Sequence, residues 1–221
     1  IKFGGHILSH YVSASILGAN ILNLGAECRK LEENKIDMLH FDVMDGHFVN
    51  NISFGLPVLK ALDKCYDIFM DVHLMISEPL RYIKQFAEAG SDMITFHVES
   101  LSDPDETIKA IKNFGMKAGI SVKPETPVES IYKYLHDVDM VLIMTVEPGF
   151  GGQGFIYEMI EKVKTLKKYL TDNSISVIIE VDGGINDKTA VIAKDAGADI
   201  LVSGSYLFNA ASMSEALKAL K

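Results

Sequence analysis

Two rhythms of apolar residues alternate along this chain. Short apolar runs at 12–17, 38–43, 68–74, 93–97, 117–122, 140–145, 176–181 and 200–203 predict strands. Between them apolar residues recur at spacings of three and four, the period of a helix packed on one face; 80–87, 156–170 and 188–196 are clear cases. Pro79 and Pro104 stand where helices begin, and Gly90, Gly115 and Gly197 where they end.

Strands that alternate with helices pair in parallel. Eight such units in 221 residues allow roughly 27 residues each, near the minimum for a (β/α)8 TIM barrel. A doubly wound open sheet is the rival architecture. It usually has fewer strands and gives no reason for polar residues to recur at strand ends along the whole chain. The pattern therefore predicts one α/β TIM-barrel domain over 1–221. The first ten residues lack the features of a secretory signal and are read as a short extension, outside the barrel.

Composition narrows the class. Hydrophobic residues make up 48% of the chain and charged residues 23%, a globular balance without a disorder signature. No apolar stretch reaches the roughly 18 residues that span a bilayer, so no membrane partner is expected. Cys28 and Cys65 have no metal-ligand spacing and are too few for a disulfide framework, which points to reduced thiols in the cytoplasm. Asn51-Ile52-Ser53 matches a glycosylation triplet, a pattern that often arises by chance. The formal net charge of −9 argues against nucleic acid as a partner. It also means that a phosphorylated substrate would have to be held by oriented backbone N–H groups rather than by a broad positive field.

In a barrel of this type the active site forms at the C-terminal ends of the strands. The second predicted strand carries His40, Asp42 and Met44 on one face, two residues apart. The third carries Asp71, His73 and Met75, and the seventh carries Glu180 and Asp182 before Gly183 and Gly184. One inward His or Asp is an ordinary hydrogen-bonded core residue. Two imidazoles and two carboxylates converging from three strands are enough for a divalent transition ion. Asp71 and Glu180 lie one layer deeper and read as supporting groups. His97 ends the fourth strand and reads the same way, Lys123 reads as a rim lysine, and His6, His10, His47 and His136 read as surface or loop residues.

Glycines supply the anion signal. Gly149, Gly151, Gly152 and Gly154 follow the sixth strand and are expected to open a helix. Gly183-Gly184 follow the seventh, and Ser203-Gly204-Ser205 the eighth. Any one pair could be a tight turn; three at adjacent strand ends favour a phosphate site. Met44, Met75 and Met144 fall at strand ends, where gap-filling in the core is the ordinary role and a polarizable wall over a reacting centre the sharper one.

These segments together resemble the ribulose-phosphate 3-epimerase family. The carriers are His40-x-Asp42-x-Met44-Asp45-Gly46-His47-Phe48-Val49, Asp71-Val72-His73-Leu74-Met75, the run from Met144 to Gln153, and Glu180-Val181-Asp182-Gly183-Gly184-Ile185. Ser15-Ile16-Leu17 and Val202-Ser203-Gly204-Ser205 match as well, so the resemblance runs from about Ser13 to Phe208. It implies one divalent ion per subunit, zinc first with iron, manganese or cobalt also compatible, on His40, Asp42, His73 and Asp182. It implies Asp42 and Asp182 as the acid/base pair that epimerises C3 of ribulose 5-phosphate through a metal-stabilised enediolate. The implied substrate contacts are Ser15, His73, Met44, Met75, Met144, Gly149, Gly151, Gly152, Gly183, Gly184, Gly204 and Ser205. A cytoplasmic homo-oligomer, dimer or hexamer, completes the expectation. Ala14, Asn20 and Asn50 depart from the family's usual proline, aspartate and proline.

Three other functions fit less well. An epimerase of a six-carbon ketose phosphate such as allulose 6-phosphate would share the chemistry. A lyase would need a strand-end lysine as proton donor or Schiff base. A non-catalytic sugar-phosphate sensor would have no need of both Asp42 and Asp182.

Overall fold

The computed structural model describes residues 10–221, so most of the proposed N-terminal extension, His6 included, lies outside the described residues. Eight strands close a parallel barrel: β1 Tyr11–Ser15, β2 Met38–Met44, β3 Phe69–Met75, β4 Met93–His97, β5 Lys117–Val122, β6 Met140–Met144, β7 Ile178–Asp182 and β8 Ile200–Ser203, with β8 pairing back onto β1. Around it run α1 Leu24–Glu33, α2 Leu56–Cys65, α3 Ile83–Glu88, α4 Pro104–Asn113, α5 Met159–Asp172, α6 Asp187–Ala196, α7 Ser205–Phe208 and α8 Met213–Leu220.

The period of two sorts each strand. Outward residues such as Phe41, Phe96, Leu39 and Leu74 pack under the helices in one large apolar cluster. Inward residues build the lumen in layers: Met38, Met93, Met140, Ile178 and Ile200 plug its lower end. On β2 the inward face then climbs from Met38 through His40 and Asp42 to Met44, passing from the plug to the mouth. Buried polar groups at this height are costly unless they are hydrogen-bonded, so their partners decide the local structure.

Four predicted elements are modified. The first strand stops at Ser15 rather than at Leu17, and Ile16–Gly18 forms a 3-10 turn. That turn carries Gly18 so close to the end of β8 that a Cβ there would sit 2.6 Å from the Ser205 nitrogen. The run at 80–87 begins as a 3-10 turn, Pro79–Tyr82, before α3. The glycines after β6 do not open a helix: Ile156 N–H is still tied to Thr145 O at 2.8 Å, and α5 starts only at Met159. Between β5 and β6 the connection is a 3-10 helix, Val128–Tyr134.

Candidate active site

At the upper end of the lumen β2, β3 and β7 bring four side chains together. His40 Nε2 lies 3.3 Å from Asp42 Oδ1, and His73 Nδ1 lies 3.2 Å from the same oxygen. Asp182 Oδ2 is 3.9 Å from each of these nitrogens, which are 3.4 Å from one another. All four ligand atoms lie within 4.8 Å of one another.

The next layer orients them. Asp71 Oδ2 is 2.6 Å from His40 Nδ1 and accepts the Ser13 hydroxyl at 2.9 Å. A carboxylate only accepts, so His40 Nδ1 carries the hydrogen and a neutral ring turns a bare Nε2 toward the cluster. Ser15 donates to Asp42 Oδ2 at 2.7 Å, which leaves Oδ1 for the centre. Facing acceptor atoms of this kind are satisfied only by a cation or by protons. Two imidazole nitrogens and two carboxylate oxygens are a donor set for a divalent transition ion, and the residues fit one.

Without the ion, protons take its place. Burial disfavours a charged His40, yet Asp71 and Asp42 outweigh it and raise its pKa well above the usual value. Burial likewise opposes the charge on Asp42, but His40 and His73 hold its pKa far below the ordinary carboxylate range. Asp182 has no such direct hydrogen bond. Burial, with the Asp42 charge beside it, pushes it up to about 6. The two aspartates are therefore driven apart. Burial and Asp71 also push Glu180 well above its usual range; Asp71 Oδ1 and both Glu180 carboxyl oxygens are buried without a hydrogen-bond partner among the described residues.

Above the cluster opens a cavity of about 400 Å3. Ser15, Asp42, Asp182 and the three methionines Met44, Met75 and Met144 line its inner end. Gly149, Gly151, Gly152, Gly183, Gly184, Gly204 and Ser205 line the rest. His40 and His73 are fully buried beneath this floor and do not line it. No Lys or Arg is among the lining residues. At Gly184 the chain takes φ +67°, and a Cβ would stand 2.6 Å from the Phe155 nitrogen. The carbonyls of this turn are occupied: Gly183 O accepts from the Thr145 hydroxyl and Gly184 O from the Thr189 hydroxyl. Asn186 caps α6 by taking the Lys188 and Thr189 N–H groups, so those two donors are already occupied.

The profile of the Ribulose-phosphate 3 epimerase family matches residues 11–208. The chain belongs to that family. Its curated relatives include the ribulose-phosphate 3-epimerase of Bacillus subtilis (strain 168), 43% identical over 95% of this chain and 97% of that protein. Another is the cytoplasmic isoform of ribulose-phosphate 3-epimerase from Oryza sativa subsp. japonica, 42% identical over 95% of this chain and 92% of that one. Like the family, this chain is an isomerase of the epimerase type. Solved structures that share the barrel include 3-hexulose-6-phosphate synthase from Salmonella typhimurium, with TM-score 0.69 and 16% identity over 95% of this chain and 96% of that one. KGPDC from Streptococcus mutans gives 0.72 at 14% identity over 96% and 95%. At such identities these two speak for the fold alone.

Sequence reading placed Asp71 and Glu180 beneath the cluster, where they are found. It missed Ser13, Glu99 and Asn51. Ser13 lies two residues before Ser15 on the same face, a signal that was present. Glu99 lies two beyond His97 and past the end of β4, where strand periodicity no longer speaks. Asn51 crosses to the β6 loop, donating to Gly149 O at 2.7 Å, and no local pattern announces that contact.

Proposed function

We propose that this epimerase interconverts D-ribulose 5-phosphate and D-xylulose 5-phosphate, using one divalent ion held by His40, Asp42, His73 and Asp182. The observation that carries the reading is the pair of aspartates from β2 and β7, with oppositely displaced proton affinities, at the inner end of one cavity. When bound, the ion supplies Lewis-acid stabilisation of the negative charge that develops on an enediolate. Asp42, ionised and steadied by Ser15, takes the C3 proton from one face of the sugar. Asp182, reaching in from β7, delivers a proton to the other face, and the reverse reaction exchanges the roles.

Met44, Met75 and Met144 would cover the reacting carbons with polarizable, aprotic surface, which would keep solvent protons from the enediolate. The phosphate would rest on the N–H groups of Gly183, Gly184, Gly204 and Ser205, with Gly149, Gly151 and Gly152 closing the side. With no Lys or Arg among the lining residues, this backbone cradle would hold an anion without a cationic side chain, in a chain of net charge −9. The family resemblance further implies a cytoplasmic dimer or hexamer.

The test is to incubate metal-analysed protein with ribulose 5-phosphate, before and after chelation, with allulose 6-phosphate in parallel. Chelator-sensitive formation of xylulose 5-phosphate is expected. Preference for the hexose would change the substrate and keep the mechanism. No turnover of either by metal-replete protein would leave a sugar-phosphate-binding barrel.

A further inference from the structure

His73 reaches the cluster through Nδ1. Its far nitrogen, Nε2, faces no carboxylate but the Nε2 of a third imidazole, His97, at 2.9 Å. Both rings are fully buried. Only one hydrogen fits between two such nitrogens, and the ring that owns it decides whether His73 shows the cluster a lone pair or an N–H.

The sense is set farther out. His97 Nδ1 lies 3.2 Å from Glu99 Oε2, and Glu99 Oε1 accepts the Lys123 backbone N–H at 2.8 Å. Glu99 thus stands as an acceptor, and the hydrogen of a neutral His97 sits on Nδ1. His97 then presents a bare Nε2, His73 must donate to it, and His73 Nδ1 is left bare toward Asp42 and His40.

We infer that Glu99 and His97 are positioning residues that impose on His73 the one tautomer able to bind a cation, through hydrogen bonds that all donate outward from His73 to His97 to Glu99. The inference rests on the metal-centre reading above. Asp71 does the same for His40 in one step. On the His73 side an interposed neutral imidazole transmits the direction while keeping another full negative charge away from a cluster that already holds Asp42 and Asp182.

The surroundings preserve that direction. Lys162 on α5 donates to the carbonyls of Lys123, Pro124 and Thr126 at 2.9, 2.9 and 2.7 Å, which fixes the loop whose N–H holds Glu99. Phe48 packs on His97 with ring centroids 4.9 Å apart, and Lys123 Nζ lies 3.8 Å from the Phe48 centroid. A water admitted to His97 Nε2 could donate there and release the lock; these side chains exclude it.

The experiment compares wild type with Glu99→Gln, whose amide can donate to His97 Nδ1 and permit the reversed sense. Zinc affinity is measured by competition with a chromophoric chelator, and the histidine tautomers of metal-free protein by nitrogen NMR. Wild type should show the hydrogen of His73 on Nε2 and that of His97 on Nδ1. Glu99→Gln should weaken zinc binding on the order of 10–100-fold, with the melting temperature of the metal-free protein nearly unchanged. A hydrogen on His97 Nε2 in wild type, or unchanged zinc affinity in Glu99→Gln beside tight wild-type binding, overturns the relay and leaves the metal centre standing. A wild-type chain that takes up no stoichiometric zinc, or whose uptake survives both His40→Asn and His73→Asn, overturns the metal centre and the relay together.

Discussion

The Ser15 hydroxyl donates to Asp42 Oδ2 at 2.7 Å and so turns Oδ1 toward His40 and His73. Ser15 ends β1 and Asp42 lies on β2, so adjacent strands of the barrel fix the rotation of one carboxylate. A hydrogen bond to a charged group contributes about 1.5–3 kcal/mol. Ser15→Ala should therefore cut kcat by roughly 10–100-fold while zinc content stays near stoichiometric. Steady-state kinetics with metal analysis on the same sample checks this. Loss of metal in proportion to activity would show that Ser15 acts on the centre's assembly instead.

Asp71 holds His40 directly, at 2.6 Å, in a fully buried position. Asp71→Asn removes the obligate acceptor and lets the ring turn over. Zinc affinity should fall by about 10–100-fold or more, and the loss should equal or exceed that of Glu99→Gln, which acts through an intermediary. Competition titrations of the two variants side by side give the order. The reverse order would contradict the direct role given to Asp71.

Metal binding and pH are linked through Asp182. Burial raises its folded pKa to about 6 from the ordinary aspartate value of 3.8, so between these values the folded chain holds a proton that the unfolded chain releases. This group's stabilising contribution is complete below the unfolded value and is lost as pH rises through about 6. His40, raised as well, works in the same direction. Asp42, displaced downward, stays ionised throughout and adds nothing to the slope. The chelated protein should lose melting temperature between about pH 5 and pH 7.5, and the gain on adding zinc should be greater at the upper end, where fewer protons must be displaced. Thermal scans with and without chelator at both pH values are the measurement. Equal gains would mean that no such proton is held.

Gly184 tests the anion cradle. Its positive φ and the approach of the Phe155 backbone leave no room for a side chain. Gly184→Ala should raise KM for the sugar phosphate by about tenfold or more and weaken inhibition by inorganic phosphate, with zinc content unchanged. A fall in kcat at constant KM would place the turn near the reacting carbons and not at the phosphate.

Much of this protein follows from local rules. The alternation of strand and helix periods gives eight βα units, and the period of two puts His40 with Asp42, and Asp71 with His73, on common inward faces. Those relationships depend on residues a few positions apart, so sequence carries them. Closure of the barrel then requires the strand ends to meet, which is why the four proposed metal ligands and the glycines could be assigned to one mouth beforehand. Tertiary structure alone decided the rest. Only the folded chain shows that β1 ends at Ser15 and that the turn after it brings Gly18 against Ser205, far away in the chain. The opposite displacements of Asp42 and Asp182 arise from unequal hydrogen bonding, with Asp42 held by Ser15 and His73 while Asp182 stands farther off. The outward chain from His73 to Glu99 exists only because β3, β4 and the loop after β5 stand side by side. Periodicity tells which face a side chain takes; distance and hydrogen-bond direction across strands tell what it does there.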